Sequence, residues 1–156
     1  MRVKYHLVRK RTKEGEIMSL LQDIQVLKKI IDNPLNKIAK ETNLTVNEIR
    51  VILFLYENEK LDLASEIVEK LMISKAHVSV SVESLVKKKY IKKVQDDRNK
   101  KKFHLKLIDR SKEVIDLLDI EIEKLKNTLM RDVSLQDREI FINTLKTIIK
   151  NTKAIA

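Results

Sequence analysis

A chain of 156 residues that holds one glycine and one proline, Gly15 and Pro34, has few means of making the tight turns on which sheet-rich folds depend. What remains is a set of helices joined by short polar links. Hydrophobic residues at 43% suffice for a core, although aromatic residues make up only 4%. The length suits one compact domain, or one protomer with a dimerisation extension. No apolar run reaches about 18 residues and no signal-peptide core is present, so a soluble, cytoplasmic protein with no membrane association is expected. With no cysteine, disulfides, thiolate metal sites and thiol redox sensing are closed to it.

The apolar spacing assigns the helices in turn. Ile17, Leu20, Leu21, Ile24, Leu27, Ile30 and Ile31 recur at steps of three and four. Asn33-Pro34 interrupts them, because a residue before proline avoids helical backbone. Leu35 to Glu41 resumes the helix with a kink. Thr45-Val46-Asn47-Glu48 reads as a capping box, and the run VILFLY behind it predicts deep burial. Leu61-Asp62-Leu63 fits a very short strand, with Asp62 near the cap of the next helix, which carries Ile67, Val68 and Leu71. After Met72-Ile73, Ser74 caps a helix whose Val78, Val82 and Leu85 point inward. Two short helices joined by so brief a turn form a helix-turn-helix.

The stretch KKVQDDRNKKKFHLKL, Lys92–Leu107, then changes period. Phe103, Leu105 and Leu107 alternate with Lys102, His104 and Lys106, as one strand of a half-buried antiparallel hairpin, with Tyr90–Val94 as the other. Asp96 to Lys101 makes a glycine-free loop between them, where a salt bridge from Asp97 is expected to orient Arg98. Beyond it, Ile115, Leu118, Ile122, Leu125 and Leu129 form a seam about two heptads long. Ser134 to Asp137 is another capping signal, and Phe141, Leu145, Ile148 and Ile149 line the last helix. Two terminal helices this apolar are expected to bury their faces against a second copy.

The net charge of +10 is informative through its location. Residues 70–106 hold twelve Lys and Arg against three acids, and residues 1–16 hold six against two. Cations so concentrated suggest a polyanionic partner, nucleic acid before an anionic membrane surface. The arm 1–16 has a further peculiarity. Glu14-Gly15-Glu16 can be encoded by GAAGGAGAA, which resembles a ribosome-binding site, and Met18 follows at a suitable distance. A natural start at Met18, with the arm as translated leader, is the expectation. N-terminal mass spectrometry of protein made from the native gene distinguishes the two starts.

Catalysis finds no support. Glycine at position 15 alone allows neither a dinucleotide fingerprint nor a P-loop, and there is no nucleophile elbow and no cysteine nucleophile. His6, His77 and His104 are scattered without metal-ligand spacing. No enzyme activity, cofactor or metal is expected.

The order of elements resembles that of the MarR family of bacterial transcriptional regulators. LTVNEIRVILFL (Leu44–Leu55) is similar to the family's second helix, and IVEKLMISKAHVSVSVESLVKKKYI (Ile67–Ile91) to its helix-turn-helix and following bend. QDDRNKKKFHLKL (Gln95–Leu107) resembles its wing, and VSLQDREIFINTLKTI (Val133–Ile148) its last helix. Departures are local: Met72 and Lys89 stand at turns where the family has Gly, and Val80 where it often has a base-contacting Arg. The resemblance implies a mostly α fold with a small antiparallel β-hairpin wing, a winged helix-turn-helix domain with N- and C-terminal dimerisation helices. The divisions expected are the arm 1–16, an N-terminal dimerisation segment 17–44, the DNA-binding domain 45–108 and the C-terminal dimerisation helices 109–156.

It implies a homodimeric repressor on a pseudo-palindromic operator in double-stranded DNA, relieved by a small aromatic or lipophilic effector. Ser74, Lys75, His77, Ser79 and Lys87 would enter the major groove, with Lys88 and Lys89 adding phosphate contacts. Arg98, Asn99, Lys100, Lys101 and Lys102 would meet the minor groove and backbone, a solvated charge run being the plain alternative. Leu20, Ile24, Leu118, Ile122, Leu125, Leu129, Phe141, Leu145 and Ile148 would dimerise. A low-specificity architectural DNA-binding protein and a winged-helix protein-interaction module are the rival readings.

Overall fold

The computed structural model describes residues 13–152; what is expected of the N-terminal arm before Lys13 lies outside the described residues. Among the described residues, seven helices and one hairpin follow in chain order: α1 (Lys13–Ile31), α2 (Asn33–Thr42), α3 (Val46–Glu57), α4 (Ala64–Leu71), α5 (Lys75–Lys87), β1 (Ile91–Gln95), β2 (Phe103–Leu107), α6 (Arg110–Leu129) and α7 (Leu135–Thr152). Helix α1 starts at Lys13, ahead of the Ile17 at which the apolar spacing begins. Bonds from Asp32 N–H to Lys28 C=O and from Asn36 N–H to Asp32 C=O, both 3.0 Å, carry helical hydrogen bonding past the α1–α2 junction. Pro34, in the first turn of α2, needs no such bond.

The core lies among α2, α3, α4, α5, the hairpin and the first half of α6. Val51, Ile52, Phe54 and Leu55 from the VILFLY run are buried there. At the start of α3 the capping box forms as read: Thr45 Oγ1 accepts from Glu48 N–H at 3.2 Å and Glu48 accepts from Thr45 N–H at 2.6 Å. Glu48 is only 2% exposed, and Lys88 Nζ reaches it at 3.0 Å while also donating to Asn43 C=O. Burial raises the Glu48 pKa, yet the hydrogen bonds from Ser84, Thr45 and Lys88, with the Lys88 charge, outweigh it and hold the carboxyl below its ordinary range.

With glycine absent from this region, three other residues take left-handed backbone: Asn43 (φ 54°), Met72 (φ 53°) and Lys89 (φ 61°). Asn43 and Met72 close α2 and α4. Met72 is 91% exposed, so its side chain returns little for the strain. Met72→Gly is expected to stabilise the fold by up to about 1 kcal/mol, read as a higher urea midpoint at unchanged slope. A lower midpoint would show that Met72 has a packing role its exposure does not reveal.

The hairpin pairs Ile91 with Leu107, Lys93 with Leu105 and Gln95 with Phe103. Its base is tied to the body. Tyr90 C=O accepts from Ile108 N–H at 2.9 Å and from Ser111 Oγ at 2.5 Å, and the Arg110 guanidinium lies 4.8 Å from the centre of the Tyr90 ring. Helix α7 begins at the Ser134 cap, whose Oγ accepts from Asp137 N–H at 3.1 Å.

The terminal seam divides. Leu118 has 0% exposure inside the protomer, so it has no surface to offer a partner. The dimerisation role expected for it is corrected: the inward face of early α6 packs on α2 and α3. Leu125 and Leu129 are half-buried, whereas Leu20, Ile24, Ile122, Phe141, Leu145 and Ile148 remain exposed.

Candidate nucleic-acid interface

Helix α5 is held by Val78, Ser81, Val82 and Leu85 and presents the opposite side outward. Ser74 Oγ accepts from His77 N–H at 3.3 Å, which fixes the N-terminal turn. Ser74, Lys75, His77, Ser79 and Lys87 are all exposed. Lys88, expected beside them, turns away to Glu48 and Asn43 and is lost to the set; exposed Lys89 remains.

The wing tip is built without glycine by two Asp/Asn turns. Asp96 Oδ1 accepts from Arg98 N–H at 2.9 Å and from Asn99 N–H at 2.6 Å, and Asn99 Oδ1 accepts from Lys101 N–H at 3.1 Å. Asp96 N–H donates to Lys102 C=O and closes the ladder below them. Asp96 therefore orients the Arg98 backbone, in place of the expected ion pair from Asp97 to the guanidinium. Arg98, Asn99, Lys100, Lys101 and Lys102 are exposed. Among the described residues, none of Lys75, Lys87, Arg98, Lys100, Lys101 and Lys102 is paired with a carboxylate.

Between helix and wing runs a groove of about 310 Å³, lined on one side by Ser65, Ser79 and Glu83 and on the other by Lys93, Lys101, Lys102 and Phe103. Lys93 and Ser65 were not singled out from the sequence. The strand register carries the missing signal for Lys93: it pairs with buried Leu105, so both side chains face the helix.

His104 was also missed as anything but a scattered histidine. Its Nδ1 lies 2.5 Å from Asp62 Oδ1 and its Nε2 lies 2.9 Å from Asp96 Oδ2, while Lys106 Nζ holds Asp62 Oδ2 at 2.5 Å. Asp62 is thus the body end of a clasp on the wing. The helix cap expected near it falls to Leu63, whose N–H donates to Glu66 at 2.8 Å. Two carboxylate neighbours favour the imidazolium form, in which both ring nitrogens donate. The hydrogen bond to Asp62, then that to Asp96, raises the His104 pKa against its desolvation. Asp96 is lowered by His104 and by the N–H groups of Asn99 and Arg98. Burial raises Asp62, but the hydrogen bonds from Lys106 and His104 outweigh it, and its pKa falls.

The signs define a window. A raised histidine contributes fully below its ordinary 6.5 and loses its contribution as pH rises through the folded value; the two lowered aspartates contribute above 3.8 and lose theirs as pH falls through their folded values. The clasp is tightest between those ordinary values. On deprotonation one ring N–H remains for two carboxylates. Asp62 keeps Lys106 and Asp96 keeps the Arg98 and Asn99 N–H groups, so what is lost is the bridge through His104 that ties the wing tip to the body. In an NMR titration His104 is expected to titrate above 6.5, with the Arg98 and Asn99 amides following the same midpoint and His104→Gln abolishing it. A midpoint at or below 6.5 would discount the clasp.

Residues 42–102 match the model of the MarR family, the stretch that runs from the end of α2 to the wing. No curated protein matches the chain by sequence. Among solved structures, the Staphylococcus aureus MarR in complex with salicylate and kanamycin superposes with a TM-score of 0.77 at 14% identity, covering 92% of this chain and 96% of that one. The MarR protein from Peptoclostridium difficile gives 0.75 at 19% identity, over 99% and 94%. A Listeria monocytogenes regulator of the MarR family, complexed with 26mer DNA, gives 0.74 at 23% identity, over 84% and 87%. Identities this low speak to the fold: a winged helix with terminal helices, as in the MarR regulators. The resemblance read from the sequence is borne out.

Proposed function

We infer that a chain with the MarR fold, whose residues 42–102 match that family's model, is a double-stranded-DNA-binding transcriptional regulator acting as a homodimer. The observation that carries this reading is the unpaired cation set shared by α5 and the wing. Lys75, Lys87, Arg98, Lys100, Lys101 and Lys102 stand exposed, while Lys88 and Lys106 are committed to buried carboxylates. A protein that needed charge only for solubility would have no reason to frame a groove with it. Residues 45–108 form the DNA-binding unit in this reading, with the recognition helix in the major groove and the wing at the minor groove. Segments 17–44 and 109–156 bring two copies together, so that two recognition helices meet half-sites about one helical turn apart.

A regulator seated on a pseudo-palindrome over a promoter acts most simply as a repressor. Relief by a small molecule fits the same architecture. An open depression of about 320 Å³ lies where α3, β2 and α6 meet, lined by Tyr56, Ile108, Lys112 and Ile115 among others. The Staphylococcus aureus relative was solved with salicylate, and a small aromatic anion suits a depression that combines Tyr56 with Lys112. Such a ligand would act by favouring one spacing of the two lobes over another.

Genome-wide selection of binding sites with the purified chain tests the reading. A promoter duplex preferred over random duplex by at least ~10³ is the expected result. Little preference would favour an architectural role, and no duplex binding at low salt would favour a protein-interaction module.

A further inference from the structure

At 3.6 residues per turn, Ala76, Val80, Glu83 and Lys87 form one stripe on α5, opposite the inward Val78, Val82 and Leu85. Val80 is 67% exposed on that stripe. A β-branched side chain at such a position lowers helix propensity and adds nothing to the core. The outward face also lacks the forked side chains, Arg, Asn and Gln, that read guanine or adenine by paired hydrogen bonds. What it offers in their place is a methyl at Ala76 and an isopropyl group at Val80, with Ser79 beside them short enough for close approach. The apolar feature of base edges in the major groove is the thymine C5 methyl.

We propose that Val80, with Ala76 one turn before it, reads thymine methyl groups in the major groove and is a specificity-determining residue of this DNA site. The proposal rests on the DNA-binding reading above. Charge supports the placement. Lys75 and Lys87 stand towards the two ends of the helix, where phosphates pass, whereas Glu83 shares the middle of the stripe with Val80. A carboxylate there repels the backbone and is compatible with a base edge. A protein partner is the poorer fit, because the two small aliphatic groups lie among serines and charges, with no aromatic or leucine anchor on the stripe.

The experiment replaces each thymine of the selected duplex, one at a time, with deoxyuridine, which removes only the C5 methyl. Affinities are measured for the wild-type full chain and for Val80→Ser and Ala76→Ser, both surface changes whose folding circular dichroism checks. Wild-type binding is expected to weaken about fourfold at one thymine facing Val80, the loss of one buried methyl group, ~0.8 kcal/mol. Val80→Ser should bind the thymine duplex less tightly and no longer distinguish uracil at that base; Ala76→Ser should do the same at a neighbouring base. Selective binding that is indifferent to uracil at every thymine would overturn the thymine reading while leaving the regulator intact. So would a Val80→Ser variant that keeps the full uracil penalty. Failure to select any duplex would overturn both.

Discussion

Leu145→Glu is expected to yield a folded, helical monomer. Helix α7 presents Phe141, Leu145 and Ile148 on one face, and Leu145 remains 42% exposed in the protomer. A monomer seldom leaves an apolar face of this kind bare. A two-fold interface would bring each glutamate into the partner's apolar seam, so the desolvation cost counts twice. At roughly 2 kcal/mol for each poorly solvated carboxylate, the dimer constant weakens by about 10³. The protomer core runs from Ile38 to Leu118 and draws nothing from α7, so circular dichroism and the urea midpoint of the winged domain should hold. Leu118→Glu, on α6, should instead unfold the chain, since Leu118 has 0% exposure. Sedimentation velocity at micromolar concentration separates these results. A Leu145→Glu protein that stays dimeric would remove α7 from the interface.

That contrast marks where the sequence stops being legible. The spacing of apolar residues yields the helices, the change of period yields the hairpin, and side chains at Thr45, Ser74 and Ser134 mark helix starts that form as read. All these signals are local. Spacing reports that a face is buried but not what buries it, so Leu118 and Leu145 look alike until α2 and α3 are seen to cover the first. Adjacent lysines are likewise equivalent in sequence, and only the burial of Glu48, forty residues upstream, separates Lys88 from Lys87. His104 is the clearest case. Its alternation places it on the outer face of β2, but its role depends on Asp62, across the bridge that joins Leu63 to His104. The cation set of the candidate interface was mostly legible, because exposed lysines need no partner to be recognised. Lys93 escaped because its direction follows from strand register.

Replacing Arg98, Lys100 and Lys101 together by alanine is expected to weaken DNA binding on the order of 10²–10³ at moderate salt, with the dimer intact. If each side chain neutralises one phosphate, a dimer loses about six contacts, and the slope of log K against log salt should become shallower by roughly five. The alanines remove charge without dismantling the tip, because the turn is held by Arg98, Asn99 and Lys101 through their backbone N–H groups. A loss of affinity can then be assigned to the cations and not to a collapsed wing. Arg98→Ala alone separates two roles within that loss. As a phosphate contact it would weaken all duplexes alike and change the slope by about one for each protomer. If its guanidinium enters the minor groove, its removal would also reduce the preference for narrow-grooved A-tracts beside the half-sites. An unchanged salt slope in the triple variant would take these three cations out of the interface and leave the phosphate contacts to α5 and the remaining exposed lysines, Lys89, Lys93 and Lys102.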